Sequence, residues 1–216
     1  MITIDNEILD KCPDFRVGVL EFKIEIKSDS TLDELISSTE EELNELYNIE
    51  DVIKIPTILD ARNAYKAFGK DPSRYRLAVE SLFRRLSKGN RLYRINNAVD
   101  LGNVLSIRAQ KSIAVLDHDK IEGDIHIRLG KDTDDFHGIG RGKLNITKIP
   151  LYEDESGPFG SATSDTERTM IRNTTTNILL FIISFSGSES MDKDISTAKE
   201  LYSKYANVTD IQSKQL

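Results

Sequence analysis

The segment NILLFIISFSG, residues 177–187, constrains the fold more than any other part of this chain. Its core, Ile178–Ile183, is apolar without alternation, the pattern of a strand buried on both faces. Such a strand needs neighbours on both edges and a packed layer above and below. The same run is far too short to cross a bilayer. At 216 residues the chain suits one domain over 1–216, and it is long enough to bury a core without disulfide staples. The single cysteine, Cys12, excludes an internal disulfide and a cysteine-rich zinc site.

The remaining periodicities supply the other layers. RVGVLEFKIEI (16–26) alternates Leu20, Phe22, Ile24 and Ile26 with charged residues, which predicts a strand with one buried face. A helix is expected next, with Leu32, Leu35, Ile36, Leu43, Leu46 and Tyr47 on its apolar stripe and Ser30 as its cap. Pro56 opens a new segment. ILDARNAYKAFG (58–69) is expected to be helical to Gly69. DPSRYRLAVESLFRRLSKG (71–89) reads as a helix capped by Asp71, with Tyr75, Val79, Leu82, Phe83 and Leu86 inward. A further helix is expected over 94–110. SIAVLD (112–117) and DIHIRLG (124–130) read as a hairpin, KLNITKIPLYED (143–154) as a third strand, and DISTAKELYSKYA as a closing amphipathic helix. The last residues, NVTDIQSKQL, are expected to fray. The expected class is α/β (α+β), mixed sheet layers with flanking helices. Residues 1–54 form an N-terminal strand–helix portion.

Net charge is −7, which argues against a generic nucleic-acid coat, yet the charge is unevenly spread. Residues 60–111 hold 12 Lys and Arg against 4 Asp and Glu, a net of +8; the other 164 residues hold 17 against 32, a net of −15. Within the basic block, Arg84, Arg85, Lys88, Arg91 and Arg94 are candidate RNA contacts, or else a solvated helix face. From Ser28 to Asp51 there are nine acids and no Lys or Arg, so that surface would repel RNA. The N-terminus lacks the apolar core of a signal peptide, and a cytoplasmic location without membrane attachment is expected.

Few chemical motifs stand out. His118, His126 and His137 lack metal-ligand spacing, and neither GxSxG nor a P-loop occurs, so no metal or cofactor is expected. GIGRGK (138–143) reads as a flexible loop whose Arg141 and Lys143 can touch a phosphate. Asn96, Asp100 and Asn103 fall in one polar line on the 94–110 helix. They serve either a ligand or a cap with buried hydrogen bonds. GPFGSATSDTERTMIRNTTTN (157–177) is dense in hydrogen-bonding groups just before the central strand, a common place for a small-molecule site. Ser164, Asp165 and Arg168 are its candidate binding residues. The alternative is a capped turn in which Asp165 pairs with Arg168.

NNAVDLGNVLS followed by SIAVLDHDKIEGDIHIRLG resembles the tRNA-editing (B3/4) domain of the phenylalanyl-tRNA synthetase β subunit. The family pattern runs N-x-x-V-D-x-x-N, then L-H-A-F-D-x-D-K-I-x-G, then an I-x-V-R strand. Val99, Asp100 and Asn103 fit the first part, and Asp117, Asp119, Lys120, Ile121, Gly123, Ile127 and Arg128 fit the rest. GPFGSATSDTERT and DARNAYKAFGKDPSRYRLAVESLFRRL look like free-standing members of that family. The likeness covers about residues 55–205.

The resemblance implies a sheet-lined pocket that hydrolyses tyrosine mischarged onto the phenylalanine tRNA. Asn103 falls at a pocket asparagine. The family's pocket histidine and glutamate fall at Ala114 and Phe181, and both replacements are apolar. A site without those polar groups cannot reward the tyrosine hydroxyl. A smaller or more apolar amino acid is the implied moiety, near Asn103, Asp100 and the Ser164–Arg168 loop. The expected partner is tRNA or aminoacyl-tRNA, and hydrolysis needs only a positioned water and hydrogen-bond donors. The competing reading is a protein that binds a free amino acid or small molecule and has lost tRNA.

Overall fold

The structure, a computed structural model, describes residues 1–28 and 30–216, without the side chains of residues 44–46. Leu46 of the expected apolar stripe and Asp29 and Glu45 of the acidic run lie outside that description.

The apolar run forms the interior of a sheet, as its pattern requires. In chain order the elements are β1 (Ile2–Ile4), α1 (Asn6–Lys11), β2 (Arg16–Lys23), α2 (Asp33–Leu46), α3 (Pro56–Ala67), α4 (Ala78–Leu86) and α5 (Asn97–Ala109). They continue with β3 (Ser112–Asp117), β4 (Ile125–Leu129), β5 (His137–Gly138), β6 (Gly142–Lys143), β7 (Pro150–Asp154) and β8 (Gly157–Ser161). The chain ends with β9 (Asn177–Ser184), α6 (Met191–Ala206) and β10 (Ile211–Gln215). One four-stranded sheet has the order β10-β2-β9-β3, and a second has the order β1-β4-β7-β8. This is the mixed α+β architecture expected from the sequence.

Strand β9 carries two different faces. Phe22, opposite Ile178, stacks on Tyr202 of α6 with ring centroids 4.7 Å apart, so that face meets the helices. Helices α5 and α6 come close enough to the sheet to demand glycine. A Cβ on Gly102 would lie 2.5 Å from Val115, and one on Gly18 would lie 2.6 Å from Met191. On the other face Val19, Phe181 and Ala114 lie side by side across three strands. Tyr152 of β7 packs on Phe181 there, with ring centroids 5.0 Å apart, and this joins the two sheets.

Several sequence expectations are corrected by tertiary partners. β2 is buried on both faces over Val17–Leu20 and ends at Lys23, because it lies inside the sheet between β9 and β10. β10 pairs antiparallel with β2, so the C-terminal residues are an edge strand rather than a frayed end. β3 and β4 do not form a hairpin. β3 pairs with β9, whereas β4 pairs with β1 in parallel and β7 antiparallel, in the other sheet. The 143–154 strand shortens to β7, because Lys148 turns into positive φ and donates its N–H to Gly130. GIGRGK closes the small β5–β6 hairpin. Helix α2 starts at Asp33 after Leu32, with no side-chain cap, so Ser30 contributes only its carbonyl.

The largest correction concerns residues 71–77. They are a loop, and α4 begins only at Ala78 after an extended Leu77. Asp71 Oδ1 accepts the Ser73 N–H at 2.9 Å, which caps a turn rather than a helix. The Ala78 N–H goes to Ala162 O at 2.8 Å, so the β8 end fixes where α4 starts. Arg74, Tyr75 and Arg76 therefore leave the helix surface, where the sequence pattern put them, and border a cleft.

Candidate functional site

The polar segment after β8 folds back on its own strand. Ser161 Oγ accepts the Thr163 and Ser164 N–H groups at 3.2 and 3.1 Å and donates to Ser164 O at 3.0 Å. Thr166 N–H bonds Phe159 O, and Ile139 N–H bonds Asp165 O, which pins the loop between β8 and the β5–β6 hairpin. Thr163 Oγ1 lies 2.9 Å from Tyr65 Oη of α3.

Arg168 does not pair with Asp165. It makes a bidentate contact with Asp154 at 2.8 and 2.9 Å and also donates to Lys120 O at 2.7 Å. That leaves the Asp165 carboxylate without a cation. The residue is half-buried, but Oδ1 is fully enclosed and has no hydrogen-bond partner. Tyr152 Oη and Thr166 Oγ1 are enclosed and unpartnered as well. Burial pushes the Asp165 carboxyl up to about 7, against a weaker pull from the Ser161 backbone N–H. Burial, then the Asp165 charge, raises the Tyr152 phenol too.

A cleft of about 340 Å3 opens beside this loop. Ser161 and Thr163 line its inner end, and Arg74, Tyr75, Arg76 and Arg141 line it as well, with no carboxylate among the lining residues. Neither the Arg74 nor the Arg141 guanidinium has a partner among the described residues. Glu80 has 1% of its side chain exposed and serves three guanidiniums: Arg62 at 2.8 Å, Arg76 at 3.7 Å and Arg84 at 3.9 Å. Lys70 Nζ sits 3.9 Å over the Tyr75 ring and donates to Asn145 at 2.9 Å. Burial, then the nearby Lys148 charge, holds the Lys70 ammonium below its ordinary value.

The expected site residues separate into groups. Asn96 caps α5 by accepting the Val99 N–H at 3.0 Å. Buried Asp100 accepts Arg94 Nε at 3.0 Å and the Ile95 N–H at 2.9 Å. Both residues border a second cleft of about 440 Å3. Asn103 is half-buried one turn further along. Helix α5 lies on the helix-covered face of the β9 sheet, while Asp165 lies by Tyr152 on the opposite face. The structure thus does not bring the Asn96–Asp100–Asn103 line to the Ser164–Arg168 loop.

The expected RNA contacts sit at the far end of α4, about 13 Å from its start at 1.5 Å per residue. Arg85 donates to Arg91 O and covers the Tyr93 ring at 3.7 Å. Arg94 is tied to Asp33 of the acidic helix as well as to Asp100. Lys88 and Arg91 are exposed. Acidic α2 reaches this same end, since Glu40 accepts the Leu92 N–H at 2.7 Å.

The D-x-D motif is occupied with structure. Asp117 accepts Thr175 Oγ1 at 2.7 Å, and Asp119 accepts Asn177 Nδ2 at 2.8 and 2.9 Å, which ties the β3 end to the start of β9. Arg128 clamps Asp134 at 2.7 and 2.9 Å and Glu153 at 2.6 Å. Among the described residues no three His, Cys, Asp or Glu side chains converge as a metal site, and no helix is long and apolar enough to cross a membrane.

A family model described as the B3/4 domain matches residues 60–211. The chain belongs to the B3/4 domain family. No curated protein matches it. Among solved structures it is similar to an N-terminal fragment of the phenylalanyl-tRNA synthetase β-subunit from Pyrococcus horikoshii, with a TM-score of 0.49 and 13% identity. The match covers 100% of this chain and 53% of that one, so this B3/4 chain spans about half the length of the fragment. In this B3/4 domain, Ala114 and Phe181, the positions aligned with the family's polar pocket, are sealed beneath Tyr152.

Sequence reasoning missed Tyr65 and Tyr152, which border the polar loop from α3 and β7. Both look like ordinary core aromatics in the sequence. A weak signal existed for the loop itself, in the density of Ser and Thr after Gly160.

Proposed function

We propose that this B3/4 domain binds the acceptor end of an aminoacyl-tRNA and hydrolyses the ester of an amino acid smaller than tyrosine. The observation that supports this most directly is the Asp165 carboxyl, enclosed without a cation beside the arginine-bordered cleft and titrating near neutral pH. A carboxylate of that kind suits proton exchange at pH 7. Water adds to the ester carbonyl and gives its proton to Asp165. The bond to the ribose oxygen then breaks, and that oxygen takes the proton as it leaves. Ser164 and the backbone N–H groups of the loop hold the substrate. Arg168 keeps the loop in place through Asp154. Exposed Lys88 and Arg91, with Arg84, Arg85 and Arg94, extend the positive surface toward more distant phosphates. The Tyr152–Phe181 contact leaves no room for a tyrosine ring between the sheets, which favours a small moiety held at the loop.

The test is deacylation of a panel of correctly charged and mischarged tRNAs by the wild type and by Asp165→Asn. Hydrolysis of one species, lost in the variant and rising with pH through about 7, is the expected result. Failure on the whole panel, with a free amino acid raising the melting temperature instead, would replace this reading with a small-molecule binder.

A further inference from the structure

We infer that the cleft bordered by Arg74, Tyr75 and Arg141 is a seat for the terminal nucleotide of a single-stranded RNA, with the base on Tyr75 and its phosphate between the two arginines. The inference deepens the functional reading above and rests on it for the identity of the strand. Its own basis is the geometry of the cleft.

Three features select the ligand. The first is charge. Arg74, Arg76 and Arg141 border a cleft that no carboxylate lines, and the one acid near Arg76, Glu80, is already shared with Arg62 and Arg84. Arginine guanidiniums without carboxylate partners match phosphate oxygens in shape and sign. The second is the ring. Tyr75 borders the cleft and carries Lys70 3.9 Å over its ring, with Lys70 in turn held by Asn145. A ring fixed in this way is a stacking platform for any base. The third is size. A volume of about 340 Å3 lies at the lower end of small-ligand sites, enough for one nucleotide and too small for a folded partner. Ser161 and Thr163 at the inner end supply hydroxyls at the place where a ribose would point toward Asp165.

The sequence contains this site in pieces. Arg74 and Tyr75 come from a loop that reads as a helix, and Arg141 comes from the β5–β6 turn 66 residues later. The Ala78–Ala162 hydrogen bond anchors the loop against the β8 end.

The experiment is fluorescence anisotropy with a 5′-fluorescein-labelled five-nucleotide RNA, unacylated, titrated from 50 to 300 mM salt. Arg74→Ala/Arg141→Ala is expected to lose at least tenfold in affinity. Its salt slope should flatten by about 1.4, from roughly 0.7 per single-strand phosphate contact. Tyr75→Leu should lose about fivefold or more with the slope unchanged, and Tyr75→Phe should bind like the wild type. Lys88→Ala/Arg91→Ala removes the same charge from exposed positions and should lose less than threefold. Thermal melts of each variant check folding, and neither arginine side chain has a partner to lose.

Equal losses in the two double variants would overturn the inference, because the effect would then be diffuse charge. So would an unchanged affinity in Arg74→Ala/Arg141→Ala, or AMP competing as tightly as the RNA, which would mark a mononucleotide site. RNA binding that depends on Arg74 and Arg141, in a protein that hydrolyses no aminoacyl ester, would uphold this inference and refute the enzymatic reading alone.

Discussion

Asp165→Asn should stabilise the protein at high pH and leave it unchanged at low pH. The carboxyl titrates near 3.8 in the unfolded chain and near 7 in the native state. Between these values the native state holds the extra proton, so stability is full below about pH 4, falls as pH rises, and levels off above about 7. Each pH unit across that window is worth about 1.36 kcal/mol, which sets a ceiling of roughly 4 kcal/mol. Asp165 keeps some surface, so about 2 kcal/mol is the working figure. Asparagine retains the shape and cannot ionise. At pH 8 the variant should therefore melt about 4–8 °C above the wild type, using 2–4 °C per kcal/mol for a domain of this size. At pH 4 the two should coincide. Paired melts from pH 4 to 8.5 read this directly, and subtraction removes every other titrating group. A gap that does not vary with pH, or a variant less stable at pH 8, would refute the claim that this carboxyl is buried without compensation.

Other substitutions test the parts that hold the loop. Arg168→Ala leaves Asp154, whose side chain is 0% exposed, without its bidentate partner, and should cost about 2–3 kcal/mol in urea unfolding. Arg168→Lys should recover little of it, because a point charge cannot replace the fork. Gly160→Ala places a Cβ 2.6 Å from Asp165 Oδ1 and 2.9 Å from the Tyr152 ring, and should cost about 1–3 kcal/mol and weaken RNA binding together. Deleting residues 211–216 removes β10 from β2 and should lower the melting temperature and promote edge-to-edge association, read by light scattering.

The interior of the fold was legible because burial on both faces leaves a composition signature. Ile178–Ile183 announced a central strand, and β9 is one. α3, α5 and α6 were likewise visible as periodic stripes. What failed was long-range pairing. The strands at 112–117 and 124–130 look like a hairpin because each alternates correctly, but alternation carries no information about which sheet a strand joins. The 71–77 loop was misread for a related reason. Asp71 and Pro72 carry a helix-start signal, and the competing bond that wins, from Ala78 to Ala162, lies 84 residues away in the sequence. The candidate loop was partly legible, since its Ser and Thr content marked it, while its charge partner was not. Arg168 is closest in sequence to Asp165, yet Asp154 takes it, because Asp154 also accepts the Glu122 and Ser156 N–H groups and is the better-built acceptor.

Net charge is a poor guide to this surface because the opposite charges are segregated. The nine acids of the 28–51 run are centred on α2, which meets the basic block at the end of α4 that carries Leu92 and Arg94. There Asp33 and Glu40 spend their bonds on Arg94 and Leu92. The arginine cleft lies at the other end of α4, about 13 Å away, beyond the Debye length of about 8 Å at physiological salt. Between the two, Glu80 is the buried acid of α4, and it faces three guanidiniums. An anion approaching the cleft therefore meets a local excess of positive charge that the total of −7 conceals. The same segregation explains why the run from Arg84 to Arg94, the most basic stretch by eye, is the part most compensated by acidic neighbours. The arginines left without carboxylates are those that the 71–77 loop and the β5–β6 turn bring together.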